Sequence, residues 1–509
     1  MNGLDEFSPD TLAATPVIVQ EALRRMQENL RALALKNEQL AYELAYLKRI
    51  RFGRRAETLN TEQRLLFEDD LEGDIGALEA EQTPAARPAT ATRSRAGRQI
   101  LPAHLPRIEV RHEPASCTCP RCQTDLVKIG EDVREQLTVE PARFSVLRHI
   151  RPQYACRQCE TVTAAPVAPA VIDGGLAAPG LLAWVAVGKY LDHLPRYRLE
   201  QVAARSGVNL SRSTMSAWIG RLGVALHPLA DRLTERIRQG SVLHADETPV
   251  QQLDPGAGKT RRGYLWSYRS NDLEGAPPIV VFDYQTSRSG QHVARFLEGW
   301  RGALMVDDYG GYKALFGPDI MELACLAHVR RKFFDLHAQG GHAVAEAALA
   351  RIAKLYAIED AGRTLDIQER GQLRAQSSQP ELHALHDWLI QQRLKTAHGS
   401  ALARAIDYTL KRWPALIRYA QSGHLPIDNN PVENAIRPIA IGKKNWLFAG
   451  SERAAQRAAA IQSLFATAKL NGIEPAAWLK DTLEKLPVWP HRRIDELLPL
   501  RENAQPAGT

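Results

Sequence analysis

Residues 241–250 read SVLHADETPV, and the reading of the whole chain turns on this stretch. Val242 and Leu243 are strand formers, and Pro249 limits how far pairing is expected to continue. The two-residue period of a strand puts His244, Asp246 and Thr248 on one face, and Leu243, Ala245 and Glu247 on the other. A carboxylate beside so apolar a strand is costly to bury unless something cationic sits against it. Taken alone, Asp246 is an ordinary polar residue at a strand end. The flanking sequence changes that reading.

Downstream, residues 263–270 (GYLWSYRS) and 278–284 (PIVVFDY) read as two more strands, the first reached through a polar hairpin region with Gly256 and Gly258. Residues 290–297 read as a helix, and 302–307 (GALMVD) as a fourth strand that enters the acidic turn DDYGGY. Three antiparallel strands, a helix and a further strand ending in Asp match the opening of a ribonuclease H-like fold, in which the first and fourth strands are neighbours. Asp246 and Asp307 then lie side by side, and adjacent carboxylates repel unless divalent cations neutralise them. Residues 321–335 (MELACLAHVRRKFFD) follow, with Arg330, Arg331 and Lys332 together. Cys325 and His328, placed on one helical turn, read as packed residues more readily than as metal ligands. Residues 340–425 are helical throughout and look like an insertion.

In IDNNPVENAIRPIAIGKKNWLFAGS, Asn430 suits an N-cap, Pro431 the first helical position and Glu433 the third. Glu433 then completes a capping box, unless it turns to a nearby metal. Arg437, Lys443 and Lys444 add positive charge, and Trp446 either stacks on a base or fills the core. Residues 453–486 close the chain as two helices, broken at Gly472 and Pro475.

The N-terminal half is modular. Leu23, Leu30, Asn37 and Leu44 fall seven apart, as do Met26, Leu33, Leu40 and Leu47, which predicts a coiled coil over 16–55. The alternative is an amphipathic helix packed in cis. Its tail carries Lys48, Arg49, Arg51, Arg54 and Arg55, either a solvated charge run or a phosphate-contacting patch. Residues 68–100 lack an apolar period and are expected to be a disordered linker. In 101–170, the knuckles CPRC and CRQC flank a strand-like stretch. Cys119, Cys122, Cys156 and Cys159 supply four thiolates for a closed, structural zinc site, with Cys117 as a spare for Cys119. Arg143, Arg148, Arg151 and Arg157 make this module basic. Residues 176–235 are helical, and LEQVAARSGVNLSRSTMSAWIGRLG has either helix-turn-helix character or that of a plain helical hairpin. Ser211 caps its second helix, which presents Arg212, Ser213, Ser216 and Arg221 while Met215, Trp218 and Ile219 pack inward.

A chain of 509 residues, 44% hydrophobic and 24% charged, has room for several globular domains. Its net charge of +7 permits nucleic acid without requiring it. The start lacks a secretory signal, and residues 176–187, the most apolar stretch, are too short to span a membrane and contain Pro179. A cytoplasmic, nucleoid-associated location is expected, with no membrane partner.

Taken together, FGRRAE, the paired-Cys module, KYLDHLPRYR, HADETP, DDYGGY, CLAHVRRKF and VENAIRPIAIGKKNWLFAGS resemble the IS66 group of bacterial insertion-sequence transposases, over nearly the whole chain. The resemblance implies a multidomain α+β protein of the DDE type. Its ribonuclease H-like mixed α/β core occupies 240–470, with a helical insertion at about 338–425 and a helical tail at 471–509. Carried over, the three acids are Asp246, Asp307 and Glu433, with Asp308 as a rival for the second position and Asp428 a weaker one for the third. The implied cofactors are two Mg2+ ions, or Mn2+ in their place, beside structural Zn2+. The implied activity is cleavage at the element ends and transfer of the 3′-hydroxyl strand into target DNA. Double-stranded DNA is the implied partner, with small accessory proteins of the same element, and the coiled coil points to a homo-oligomer. DNA contacts are expected from Arg54, Arg55, Arg212, Arg330, Arg331, Lys332, Arg437, Lys443, Lys444 and Trp446. Two other readings remain: a non-catalytic DNA-binding regulator or inactivated copy, and a structure-specific nuclease on the same fold.

Overall fold

The computed structural model describes residues 25, 26, 29, 30, 33, 34, 36, 37, 40, 41, 43, 44, 74, 75, 77 and 78, then 101–503 apart from 102, 104, 114–116, 118–124, 126, 141, 142, 173, 255–258 and 339–341. They fall into two compact units, one formed by 1–167, 171–178 and 196–224, the other by 168–170, 179–195 and 225–509. Among the described residues no helix is long and apolar enough to cross a membrane.

The first unit holds a sheet of β1 (Arg107–Arg111), β2 (Val127–Glu140), β3 (Arg143–Ala155) and β4 (Val162–Ala164). β2 and β3 form a long antiparallel hairpin, β1 lies parallel to β3 on its other side, and β4 pairs with the end of β3. Leu137, Val146 and Ile150 are buried. Arg148 lies 3.8 Å from Glu109 and 3.9 Å from Glu135, and Arg151 lies 2.6 Å from Asp132. Two of the four arginines expected to make this module basic are therefore matched by acids on neighbouring strands, because cross-strand neighbours sit within ion-pair reach.

The described residues of 25–44 are helical; Met26, Leu30 and Leu33 are exposed and Leu40 is buried. The basic tail, with Arg54 and Arg55, lies outside the described residues. The linker expectation needs correction within 68–100. Asp74, Ile75, Ala77 and Leu78 are helical and buried, and Ile75 and Leu78 have the three-residue spacing that puts both on one helix face.

Helices α1 (Pro179–Tyr190), α2 (Arg196–Arg205) and α3 (Arg212–Ile237) follow. α1 belongs to the second unit, α2 and the first half of α3 to the first. α2 and α3 are joined through Gly207 at φ 71°, and Ser211 Oγ accepts a hydrogen bond from the Thr214 N–H (3.2 Å), capping α3. Met215, Trp218 and Ile219 are buried as expected. Ser216 is not presented: it is fully buried, and its hydroxyl donates to the Arg212 carbonyl at 2.8 Å, which satisfies a serine without solvent. Arg212 itself pairs with Glu200 at 3.2 Å.

The second unit is built on β5 (Val242–Asp254), β6 (Lys259–Ser270), β7 (Val280–Gln285), β8 (Gly302–Val306) and β9 (Ile320–Ala324), in the order β7-β6-β5-β8-β9. β5, β6 and β7 are antiparallel, while β8 and β9 run parallel to β5. Helix α4 (Gly290–Phe296) links β7 to β8. Pro249 does not end the pairing, since β5 stays paired with β6 as far as Asp254. The β5–β8 ladder stops at His244, so a missing N–H farther along is tolerated on that open flank. β9 was not expected. Cys325 follows the end of this strand, and helix α5 (Leu326–Ala338) begins only after it. With Met321 exposed, Glu322 half-buried and Ile320, Leu323 and Ala324 buried, this five-residue strand shows no two-residue alternation to distinguish it from a helix.

The insertion is all helical: α6 (Ala343–Ala361), α7 (Ile367–Leu373), α8 (Gln379–Leu394) and α9 (Ala401–Leu416). Its Ile352, Leu385 and Ile406 share a core with Val329 and Phe333 of α5 and with Met305 and Leu323 of the sheet. Helices α10 (Asn430–Trp446), α11 (Glu452–Leu470) and α12 (Pro475–Lys485) complete the unit. Ile436 and Ile439 of α10 and Ala455 and Ala459 of α11 pack on Val250, Leu265, Val280 and Phe282. β7 lies at the rim of the sheet. The Ser463 and Thr467 hydroxyls of α11 accept from the Phe282 and Val280 N–H groups, at 2.7 and 3.1 Å.

Candidate active site

β5 and β8 carry two acids to one edge. Their parallel register pairs Val242 with Ala303, Leu243 with Leu304 and His244 with Met305, and Asp246 and Asp307 each lie two residues farther on. Asp246 Oδ1 accepts from the Glu247 N–H (2.9 Å), and Asp307 Oδ1 from the Tyr309 N–H (2.8 Å). The third acid arrives on the first turn of α10. Burial, then Arg269, pushes the His244 imidazole down to about 4, so it is neutral, and its Nδ1 lies 3.1 Å from Asn429 Oδ1. The Asn429 amide donates to the Ala245 carbonyl (2.9 Å), and its main-chain N–H donates to Cys325 Sγ (3.2 Å). Asn429 thus ties the start of α10 to the residue before Asp246 and to the end of β9, and Glu433 follows one turn later.

The Asp246 carboxyl is pushed up to about 8, first by burial, then by Glu247, with Asp307 and Glu433 adding to the same direction. The three expected acids therefore act on one charge balance. Among the described residues neither Asp246 nor Asp307 has an ion-pair partner. The three do not all converge within 4.8 Å; the set of three ligand-type groups that does, among the described residues, is Cys325, His328 and Glu433. Burial pushes the Cys325 thiol up to about 12.

The capping-box reading of Glu433 does not hold. α10 starts one residue earlier than expected, with Asn429 at the N-cap, and the Asn430 N–H is taken by Asp428 Oδ1 (3.0 Å). Glu433 Oε1 is left buried without a hydrogen-bond partner, 3.7 Å from His328 Nδ1.

The rival acids are occupied. Asp308 pairs with Lys313 (3.2 Å) and with the buried Arg412 (3.3 Å). Arg412, from α9, also pairs with Glu322 and donates to the Asp307 carbonyl (3.1 Å). Asp428 accepts from the Tyr356 hydroxyl of α6 (2.9 Å). Glu247, whose side chain is 1% exposed, receives the Arg288 guanidinium (Nε at 2.7 Å) and the Tyr312 hydroxyl (2.8 Å). Arg288 in turn lies 3.8 Å over the Tyr309 ring. Gly290 sits so close to the YGGY turn that a Cβ there would lie 2.1 Å from the Gly311 carbonyl oxygen. These supporting residues were not recognised from sequence. The usable signal was that a buried Glu247 needs a cation.

A family model described as Transposase IS66 family matches residues 174–457, which contain all three acids. The chain belongs to this IS66 family. Further IS66 models match residues 116–160, described as the zinc-finger binding domain of transposase IS66, and residues 463–500, the IS66 C-terminal element. Residues 39–110 match a model described as Transposase C of IS166 homeodomain. Three relatives from Sinorhizobium fredii (strain NBRC 101917 / NGR234), each described as uncharacterized, align over most of their length. y4qI is 38% identical over 477 residues, 90% of this chain and 87% of the relative. y4jD is 37% identical over 483 residues (92% of each chain), and y4hP 33% over 505 residues (94% and 90%).

In this IS66 chain the expected DNA-contacting residues divide. Arg330, Arg331, Lys332, Arg437 and Lys444 are exposed. Lys443 is half-buried, and its ammonium donates to Thr248 Oγ1 (3.1 Å) and the Pro249 carbonyl (2.8 Å). Trp446 packs partly against the α10–α11 core, the core-filling alternative. Of the zinc ligands, Cys119 and Cys122 lie outside the described residues. Cys156 and Cys159 sit in a tight turn, where the Glu160 N–H reaches the Cys156 carbonyl (3.0 Å) and Cys156 is buried. That geometry suits a thiolate knuckle. A cavity of about 610 Å³, lined by Tyr190, His193, Phe282, Asn434 and Phe465, does not include the three acids.

Proposed function

We propose that this IS66-family chain is an active DDE-type DNA transposase, with Asp246, Asp307 and Glu433 as the acids that hold its divalent ions. It cuts DNA at the element ends, frees a 3′-hydroxyl and joins that end to target DNA. One observation carries the reading. Asp307 and Glu433 add to the cost of charging Asp246, and among the described residues Asp246 and Asp307 have no ion-pair partner, while Glu247, Asp308 and Asp428 each have a partner. Folding tolerates such an arrangement where a ligand later supplies the positive charge. The strand order β7-β6-β5-β8-β9, with Asp246 two residues past the end of the β5–β8 ladder, Asp307 just after β8 and Glu433 on α10, supports a ribonuclease H-like core over 240–470.

The donor set fits Mg2+ or Mn2+, both of which take carboxylate oxygens. When bound, a pair of such ions would supply Lewis-acid stabilisation to the attacked phosphodiester. The chain's own residues do the positioning. The Tyr309 N–H and Arg412 fix Asp307 from two sides, and Asn429 sets where Glu433 begins its turn. Exposed Arg330, Arg331, Lys332, Arg437 and Lys444 would track the phosphate backbone. The zinc-finger region and the α2–α3 pair would recognise the ends, and the exposed heptad positions Met26, Leu30 and Leu33 would join copies of the chain.

The test is a gel assay on end-containing, scrambled and branched duplexes with and without Mg2+. Nicking confined to end-containing DNA with Mg2+, and abolished in Asp246→Asn, is expected. Nicking that survives Asp246→Asn overturns the assignment, and cutting of branched DNA regardless of sequence overturns the transposase reading.

A further inference from the structure

His328 lies on the first turn of α5, just past the end of β9. Its Nδ1 stands 3.7 Å from Glu433 Oε1, and both atoms are buried without a hydrogen-bond partner. Two such atoms side by side are costly to leave unmatched. The separation is too long for a hydrogen bond. In the octahedral shell of Mg2+ or Mn2+, cis donors at about 2.1–2.2 Å stand roughly 3.0 Å apart, so a closure of less than about 1 Å brings both atoms onto one ion. Cys325 completes the local set within 4.8 Å, but its Sγ already accepts the Asn429 N–H and serves the α10 start.

We propose that His328 is a direct nitrogen ligand to the ion held by Glu433. This rests on the reading of Glu433 as a metal-holding acid, and it adds a donor that the three acids do not contain. Imidazole is a borderline donor, whereas Mg2+ keeps to oxygen and water. The Glu433 position therefore favours Mn2+ over Mg2+, and the centre is asymmetric, with nitrogen on the Glu433 side and oxygen alone on the Asp307 side. His328 is supplied by α5, so the ion would join β9–α5 to α10, two segments that otherwise meet here through Asn429 and Cys325.

The experiment is Mn2+ titration of the full-length, zinc-loaded protein, read by electron paramagnetic resonance and electron spin-echo modulation. The expected spectrum of the bound Mn2+ carries imidazole 14N couplings. They change to the 15N pattern in protein labelled with 15N-histidine, and they disappear in His328→Gln. In that variant Mn2+ affinity falls at least about tenfold, by analogy with the weaker effect of outer-shell partners, while Mg2+ affinity, read by competition, falls less. Bound Mn2+ that requires Asp246 and Glu433 but shows no nitrogen coupling, or keeps it in His328→Gln, overturns the inference and leaves the carboxylate site standing. Mn2+ binding indifferent to both Asp246→Asn and Glu433→Gln removes the carboxylate site and this inference with it. The wild-type spectrum decides the matter even if His328→Gln folds poorly.

Discussion

The chain has two acidic doublets at one sheet edge, Asp246–Glu247 on β5 and Asp307–Asp308 after β8, and they are built alike. In each, one acid is neutralised: Glu247 by Arg288 and the Tyr312 hydroxyl, Asp308 by Lys313 and Arg412. In each, the other acid accepts a nearby main-chain N–H and has no ion-pair partner among the described residues. The doublets differ in how the neutralised member is held. Glu247 is buried beside a guanidinium that is 43% exposed, so solvent screens the pair. Arg412 is 3% exposed and serves Asp308, Glu322 and the Asp307 carbonyl together. Two neighbouring carboxylates can thus have opposite jobs, and the cations decide which is which.

The largest effect expected from breaking this symmetry lies within the second doublet. Asp307→Asn should lower nicking of end-containing DNA at least about a thousandfold, whereas Asp308→Asn should cost less than about tenfold. Equal losses would mean the doublet has no division of labour. Next comes Arg412→Met, which leaves Asp308 and Glu322 without their buried partner. It should destabilise by roughly 3 kcal/mol in urea melts and slow nicking in folded protein by about ten- to a hundredfold, since Asp307 loses a support. Glu247→Gln should cost less, about 1–2 kcal/mol, because Arg288 can turn to solvent.

The smallest effect is a pH trend in thermal melts without divalent ions and with zinc retained. Asp246 has a folded value of about 8 against an ordinary 3.8, so the unfolded chain loses its proton first as pH rises. Stability from this group is therefore present at low pH and falls between about 4 and 8. Asp246→Asn should match wild type near pH 4 and melt higher by a growing margin, on the order of 2–4 °C by pH 8. A margin that does not change with pH would show that Asp246 ionises normally.

Much of this was legible in the chain because it is local. The β5 motif, the strand–helix–strand sequence to β8 and the α2–α3 turn each announce themselves through apolar period, Gly207 or a capping Ser211. What escaped was of two kinds. The short β9 has no alternation that separates strand from helix, and nothing in the type of Ser216 separates inside from outside. The support of the acids is the other kind: Arg288 is 41 residues from Glu247, Tyr356 is 72 from Asp428 and Arg412 is 105 from Asp307. No period or spacing connects such pairs, and only the fold brings them together. The same distance hid Asn429, which looked like the residue before a cap and instead pins the start of α10.

The hydroxyls that α11 lays along β7 have a consequence for how molecules of this chain can meet. With the Val280 and Phe282 amides already matched by α11, two of that margin's outward donors are closed to a second copy that would continue the ladder. A second copy approaching there would meet the side chains of α11 rather than those two backbone donors, which works against edge-to-edge stacking from that side.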